Sequence, residues 1–284
     1  MGSNLGVLER AAQRQALGEA FALATVVRTV SVTAAKAGAK ALIAPDGHVE
    51  EGWIGGGCVR AAVVKAAKQC LADGQSRLVS IAPKEGLDAL GVSPGEETNG
   101  VFFARNSCPS QGTMDIFIEP VLPQPKLLIL GASPVAVALA AQAPAFGFAV
   151  TVAAAPGELD RFPPGPTRLE GVAPPPGAGE GAYVVVSTQG AGDRAALKAA
   201  AAMAARYRAF VGSRRKAETL RRELVADGVS AESLAGVKAP AGLDISAITS
   251  EEIALSILAE MIAARRRPQR PEVSENAAVH GAAL

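Results

Sequence analysis

No stretch of this 284-residue chain holds the roughly 20 apolar residues that a membrane-spanning helix needs, once its Arg, Asp and Gly interruptions are counted. A soluble protein with no membrane partner is expected. Charge of one sign is also missing. The chain sets 28 Lys and Arg against 27 Asp and Glu, so no global field draws it to nucleic acid or to a membrane surface. Any electrostatics must be local. Cysteine is scarce and odd in number: three residues, with no secretion signal, argue against a disulfide scaffold and for reduced thiols in the cytoplasm. Histidine is scarcer still, and its two copies, His48 and His280, count against an ordinary oxidoreductase. Apolar residues are plentiful, at 49%, and over this length they suit two ordinary domains.

Residues 126–136, K-L-L-I-L-G-A-S-P-V-A, organise the second half. The short apolar run 127–130 predicts a strand buried on both faces. Gly131 then turns the chain, Ser133 caps the next helix, and Pro134 takes its first position, where a missing N–H costs nothing. Strand, glycine turn and helix start together make an anion site, because unpaired N–H groups and the positive end of the helix dipole face one spot. A second strand over 148–153 completes a βαβ unit of the dinucleotide-binding kind. The fingerprint is degenerate, G-x-S-x-x-A at Gly131, Ser133 and Ala136. Ala153, Ala154 and Ala155 stand where an NAD enzyme carries Asp or Glu for the ribose hydroxyls. A Rossmann-like domain without tight NAD binding is expected, and a nucleotide fold with an empty pocket is the alternative.

Ahead of this domain, residues 5–18 read as an amphipathic helix behind an Asn4 cap, and 22–30 as a strand. Residues 31–40 form a small-residue loop whose Thr33, Lys36 and Lys40 offer hydroxyl and ammonium donors to a phosphate; a flexible solvated loop is the alternative. Pro45, Asp46 and Gly47 turn a hairpin between strands 41–44 and 48–54. Three glycines follow, and Cys58 opens a helix that closes at Gly74. A helix start favours a thiolate and the glycines leave room for a ligand, so Cys58 is a functional candidate, against the alternative of a small buried hydrophobe. Cys70, on that helix's apolar face, is expected in the core. After a strand over 77–81 comes a long polar loop, 83–112, of the kind that is functional or disordered. It carries Cys108 in S-C-P-S-Q-G, at the lip of a sheet whose next strand covers 113–121 with Met114, Ile116 and Ile118 on one face. Prolines make 122–124 a stiff linker.

Beyond the βαβ unit, the Pro- and Gly-rich residues 156–181 are expected to be a surface excursion. A buried strand over 182–187 runs into Thr188, Gln189 and Gly190, and Asp193 caps a helix reaching 206. A strand over 209–211 leads to G-S-R-R-K. Ser213 caps a helix there, and Arg214, Arg215 and Lys216 occupy a first turn whose dipole prefers acids. A nearby anion resolves that conflict; a solvated basic face is the alternative. Thr249 or Ser250 caps a last helix ending in Arg265, Arg266 and Arg267. Ligands of open parallel sheets sit outside the carboxyl ends of the strands, which puts Gly131, Thr188, Ser213 and Asp244 along one crevice, covered by the first domain's loops. Cys58 and Cys108 are expected at its mouth.

The ordered stretches T-V-V-R-T-V, A-K-A-G-A-K, G-G-G-C-V, V-G-S-R-R-K and S-E-E-I-A-L-S-I-L-A-E-M-I-A resemble the XdhC/CoxF family of accessory proteins that mature molybdenum hydroxylases, over nearly the whole chain. The stretch C-P-S-Q-G-T-M-D-I-F-I-E-P is closer to the CoxF type, linked to carbon monoxide dehydrogenase, than to the xanthine dehydrogenase type. The resemblance implies an α/β protein: an N-terminal α+β cysteine-bearing domain over 1–122, a Rossmann-like parallel-sheet domain over 126–267, and a disordered tail over 268–284. It implies that Cys58 and Cys108 are the family's two cysteines, handling sulfur or metal. The family's phosphate-type loop falls on Gly131, Ala132, Ser133, Pro134, Val135 and Ala136. Thr188, Gln189, Ser213, Arg214, Arg215 and Lys216, with Lys36 and Lys40, complete the candidate cofactor contacts. Members are thought to bind the molybdenum cofactor, protect it during sulfuration and deliver it. Ala154 and Gln189 depart from the Asp or Glu and the His of many relatives, which weakens an NAD(P)-dependent step and leaves FAD or molybdopterin cytosine dinucleotide. A molybdenum hydroxylase apoenzyme is the implied partner, with a cysteine desulfurase and a second copy of the chain as further candidates. A nucleotide-dependent oxidoreductase is the competing function, and whether the chain is itself an enzyme stays open.

Overall fold

In the computed structural model the described residues are 4–267, apart from 99, 109, 110, 173, 176 and 191. The tail 268–284, and Pro109 and Ser110 beside Cys108, lie outside them. The chain divides into two units, Met1–Pro123 and Gln124–Leu284.

Unit 1 runs α1 (Asn4–Ala16), β1 (Phe21–Val30), β2 (Lys40–Ile43), β3 (Val49–Gly52), α2 (Gly57–Asp73), β4 (Arg77–Ala82), α3 (Lys84–Leu90), β5 (Glu97–Thr98), β6 (Val101–Arg105) and β7 (Thr113–Val121). The strands form one mixed sheet in the order β3-β2-β1-β7-β4-β6-β5. Strand parity assigns the faces. Ala22, Ala24 and Val26 of β1 join Met114, Ile116 and Ile118 of β7 in one core with Val59, Val63, Ala66 and Cys70 of α2. Phe21, of the opposite parity, packs with Leu42 and with Val7 of α1. Each fully buried Ile or Val contributes about 1.5–3 kcal/mol, so truncating Ile116 to Ala should cost about 2–5 kcal/mol. Asn4 is not a cap. It lies inside α1 and its Nδ2 donates to Gly38 O at 2.9 Å.

Residues 83–112 are not one loop. Lys84–Leu90 is helical and stopped by Gly91 in the left-handed region (φ 67°), and Val101–Arg105 pairs in parallel with β4. Five residues between polar turns carry little local signal, and a strand whose partner lies some twenty positions back is fixed by non-local pairing.

Unit 2 runs β8 (Lys126–Leu130), α4 (Pro134–Gln142), β9 (Ala149–Ala154), β10 (Thr167–Glu170), β11 (Tyr183–Val186), α5 (Asp193–Ala202), β12 (Tyr207–Phe210), α6 (Arg214–Ala226), α7 (Ala231–Ala235) and α8 (Ser250–Arg266). Its sheet is parallel throughout, in the order β10-β9-β8-β11-β12. Leu127 and Ile129 pack with α4 and α8, while Leu128 and Leu130 pack with α5 and α6. The apolar run at β8 is therefore buried on both faces, as helices on either side require. The order reverses at β8, whose neighbours β9 and β11 lie on opposite sides, so the switch point falls beside Gly131. Thr249 caps α8 in a reciprocal box with Glu252.

The 156–181 excursion is more ordered than expected. Pro156–Arg161 forms a short 3-10 helix and Thr167–Glu170 adds β10 to the sheet edge, where a strand with one half-buried leucine, Leu169, suffices. Asp193 is likewise not the cap of α5. Gly192 takes that place at φ 86°, and Asp193 sits in the first turn. Among the described residues no helix is long and apolar enough to cross a membrane.

Candidate functional site

Between β3 and α2 the chain passes through Gly55, Gly56 and Gly57. Gly55 adopts φ 133° and lies against Val59, where an added Cβ would sit 3.1 Å from the side chain; at Gly56 and Gly57 an added Cβ meets nothing within 4 Å. Gly56 is an extended N-cap with no side-chain hydrogen bond, so the first turn of α2 is left uncapped. Cys58 stands in that turn, exposed. In front of it lies a cavity of about 230 Å³, whose walls include Thr33, Gly57, Cys58, Asn106, Cys108 and Met114. The two candidate cysteines, from α2 and from the β6–β7 connection, thus meet at one cavity, and among the described residues no charged side chain lines it.

Asn106 holds the Cys108 loop. Its Oδ1 accepts from Cys108 N–H at 2.9 Å and its Nδ2 donates to Gly112 O at 2.7 Å, so both ends of the loop are tied to one buried amide. Gln111 closes the turn at φ 52°, with its N–H on Cys108 O at 3.1 Å. At Gly112 an added Cβ would lie 2.3 Å from Val32 O, which is why the 31–35 loop can reach the cavity. Asn106 is a site residue that the candidates named from the sequence do not include. Its signal is an Asn two residues ahead of the residue whose N–H it accepts, the pattern of an Asx turn.

Neither lysine of the expected phosphate loop lines this cavity. Lys36 is exposed, and Lys40 donates to Thr25 Oγ1 at 2.9 Å across the β1–β2 ladder. Cys70 is fully buried, and burial pushes its thiol up against the pull of Arg77, which keeps it neutral. Among the described residues no group of three or more His, Cys, Asp or Glu could hold a metal.

In unit 2 the expected loop is in place but turned inward. Gly131 adopts φ 103°, and an added Cβ would lie 2.6 Å from Ser187 O and 2.7 Å from Thr188. Its glycine thus serves the close approach of β8 to the end of β11. Ser133 caps α4, accepting from Ala136 N–H at 3.2 Å and sharing a 2.6 Å hydrogen bond with Ser187 Oγ. Ala132, Ser133 and Val135 are buried, and Pro134 is exposed. Asp193 gathers the rest: Thr188 Oγ1 donates to it, Gly190 N–H donates at 3.1 Å, and Lys216 Nζ pairs with it at 2.5 Å. Burial pushes this carboxyl up, but the bonds from Lys216, Thr188 and Gly190 outweigh it and hold the group below the usual carboxylate range. Lys216 is therefore neutralised within the fold. Gln189, at φ 53°, is exposed, as are Ser213, Arg214 and Arg215.

The end of β9 carries fully buried Ala153 and Ala154, with no side-chain acceptor for a ribose. Gly131 and Thr188 meet as expected. Asp244 does not join them: with Gly212 and Arg214 it lines a second cavity, whose walls include neither Gly131 nor Thr188.

Comparison with known proteins follows the same division. Residues 14–82 match the XdhC and CoxI family, and residues 127–261 match the XdhC Rossmann domain. Over 98% of its length the chain is 29% identical to the uncharacterized protein YqeB of Escherichia coli (strain K12), and it spans about half, 51%, of that relative. A solved structure from Bacillus halodurans, described as a xanthine dehydrogenase, covers 96% of this chain and 98% of its own at 19% identity, with a TM-score of 0.45. The first match takes in Cys58 and the second takes in Gly131, Thr188 and Ser213. With both models of one family matched in order, and together covering most of its length, the chain belongs to the XdhC and CoxI family.

Proposed function

We propose that this chain is a maturation factor for a molybdenum hydroxylase, working in the cytoplasm, with Cys58 and Cys108 handling sulfur and the Rossmann unit holding a dinucleotide. One observation carries the reading: two cysteines far apart in sequence line one uncharged cavity at an uncapped helix start. Family membership supports the hydroxylase as partner. The CoxF-like stretch around Cys108 points to carbon monoxide dehydrogenase as the target, Ala154 and Gln189 favour FAD or molybdopterin cytosine dinucleotide over NAD(P) as the ligand, and a cysteine desulfurase is the sulfur source in this reading. A second copy of the chain is a further partner of this reading.

As the ligand, molybdopterin cytosine dinucleotide would supply the molybdenum centre that the target needs. The chain's own residues do the rest. Cys58, exposed at the start of α2, attacks the outer sulfur of a donor persulfide; the donor's S–S bond breaks, the donor leaves as a thiolate, and Cys58 carries the sulfur as a persulfide. Asn106 fixes the backbone that presents Cys108 to the same cavity. The shortage of an acid at Ala154 counts against the competing oxidoreductase.

The test is to incubate the full chain with a desulfurase and cysteine and to follow its intact mass. Gain of one sulfur atom on wild type, lost in Cys58→Ser, is expected. A sulfur that remains in Cys58→Ser, or none in wild type, overturns the role given to Cys58.

A further inference from the structure

Past the end of β12, unit 2 holds a cavity of about 620 Å³, within the size range of small-ligand sites. Arg214 and Lys238, Asp244 and Ser246, and Leu243 and Ile245 line it. Its floor is held rigidly. Glu260 of α8, 8% exposed, accepts from Tyr207 OH at 2.6 Å and Gly242 N–H at 2.9 Å, and it pairs with Lys238. Gly242 lies so close to α8 that an added Cβ would sit 2.3 Å from Ser256 Oγ.

The rim, in contrast, keeps features that a fold alone does not call for. Ser246 is held in the left-handed region at φ 58°, and Asp244 Oδ1 accepts its N–H at 3.3 Å. Leu243 and Ile245 are 43% and 48% exposed, so large apolar side chains of the cavity's wall stand at the surface. Lys238 is neutralised by Glu260, whereas Arg214 makes no ion pair among the described residues. An available guanidinium, an apolar wall and a carboxylate thus share one cavity.

We propose that this cavity binds a nucleoside monophosphate unit whose base carries an exocyclic amino group, with the phosphate on Arg214 and the amino group on Asp244. A guanidinium matches phosphate oxygens with paired N–H donors. A planar base suits the apolar wall. The carboxylate accepts an amino N–H and repels a carbonyl oxygen, so it favours cytosine over uracil, which differ there by that one exchange. The inference rests on the cofactor reading above for the natural ligand, to whose nucleotide end it gives a place apart from the Gly131 turn. The chemistry of the cavity is tested without it.

Calorimetric titration of the full chain with CMP and UMP is the experiment. CMP should bind about tenfold more tightly than UMP, Asp244→Asn should erase that preference, and Arg214→Gln should weaken both by about tenfold. Both side chains are exposed, so the variants should fold, which thermal unfolding checks. Ser133→Ala separates the two places. CMP affinity that falls with Ser133→Ala and not with Arg214→Gln overturns the assignment in favour of the crevice. Equal affinity for CMP and UMP, or no binding of either, overturns it as well. The sulfur-loading test on Cys58 is independent of these outcomes, so the failure of one reading is distinguishable from failure of the other.

Discussion

The start of α2 and the start of α4 share a plan, a strand run through glycine into a helix N-terminus, and they differ in what the protein has done with it. At α4, Ser133 caps the helix, bonds Ser187, and has Gly131 pressed against Thr188 beside it. At α2 no side chain caps the helix, and two glycines open on space in front of Cys58. The same local motif is a closed structural corner in one unit and an open thiol site in the other. A helix start becomes a site when its polar groups are left unsatisfied and a cavity faces them.

That contrast can be broken most severely at Cys58. Cys58→Ser should abolish activation of a molybdenum hydroxylase apoenzyme while leaving Tm within about 2 °C of wild type, since the side chain is exposed. Normal activation would make the cysteine structural. The glycines give the next effect. Gly131→Ala meets backbone 2.6 Å away at a positive φ and should cost about 3 kcal/mol, roughly 6–12 °C in thermal unfolding. Gly57→Ala meets nothing and should leave Tm unchanged while slowing alkylation of Cys58. Similar Tm losses in the two variants would erase the distinction.

A smaller effect is expected at Asp193, which makes the crevice self-sufficient. Asp193→Asn should lower stability by about 1–3 kcal/mol at pH 7, measured by urea unfolding. Its carboxyl is held below the usual range in the fold, so its contribution is complete above the unfolded value of about 4 and is lost as pH falls through the lower folded value. The gap between wild type and variant should therefore narrow at pH 3, and a gap independent of pH would remove the ion pair as its cause. Asn106→Ala should have the smallest effect. Alkylation of Cys108 should change by about threefold as its loop loses both ties to Asn106, with Cys58 unaffected. Equal changes at both thiols would mean that Asn106 supports the whole cavity rather than one loop.

Much of this was legible from the residues. The two-faced burial of β8, the caps Ser133, Ser213 and Thr249, the stop at Gly74 and the place of Cys58 at a helix start all follow from rules that act within one turn or one strand. Strands β6 and β10 escaped notice because a short strand is defined by its neighbour, and that neighbour is distant or lies at a sheet edge. Asn106 escaped because its partner groups are assigned only once the loop around Cys108 is closed.

By itself, the sequence determined two α/β units, their helix ends and the residue types available for chemistry, because periodicity, capping and glycine turns are local. Tertiary structure decided which of those residues meet. It brought Cys58 and Cys108 to one cavity, committed Lys216 to Asp193, and put Arg214 and Asp244 on the wall of another cavity that does not include Gly131. The reason is physical: a side chain's partners depend on which strands lie next to each other in the sheet, and strand order is fixed by long-range packing that no stretch of residues carries alone.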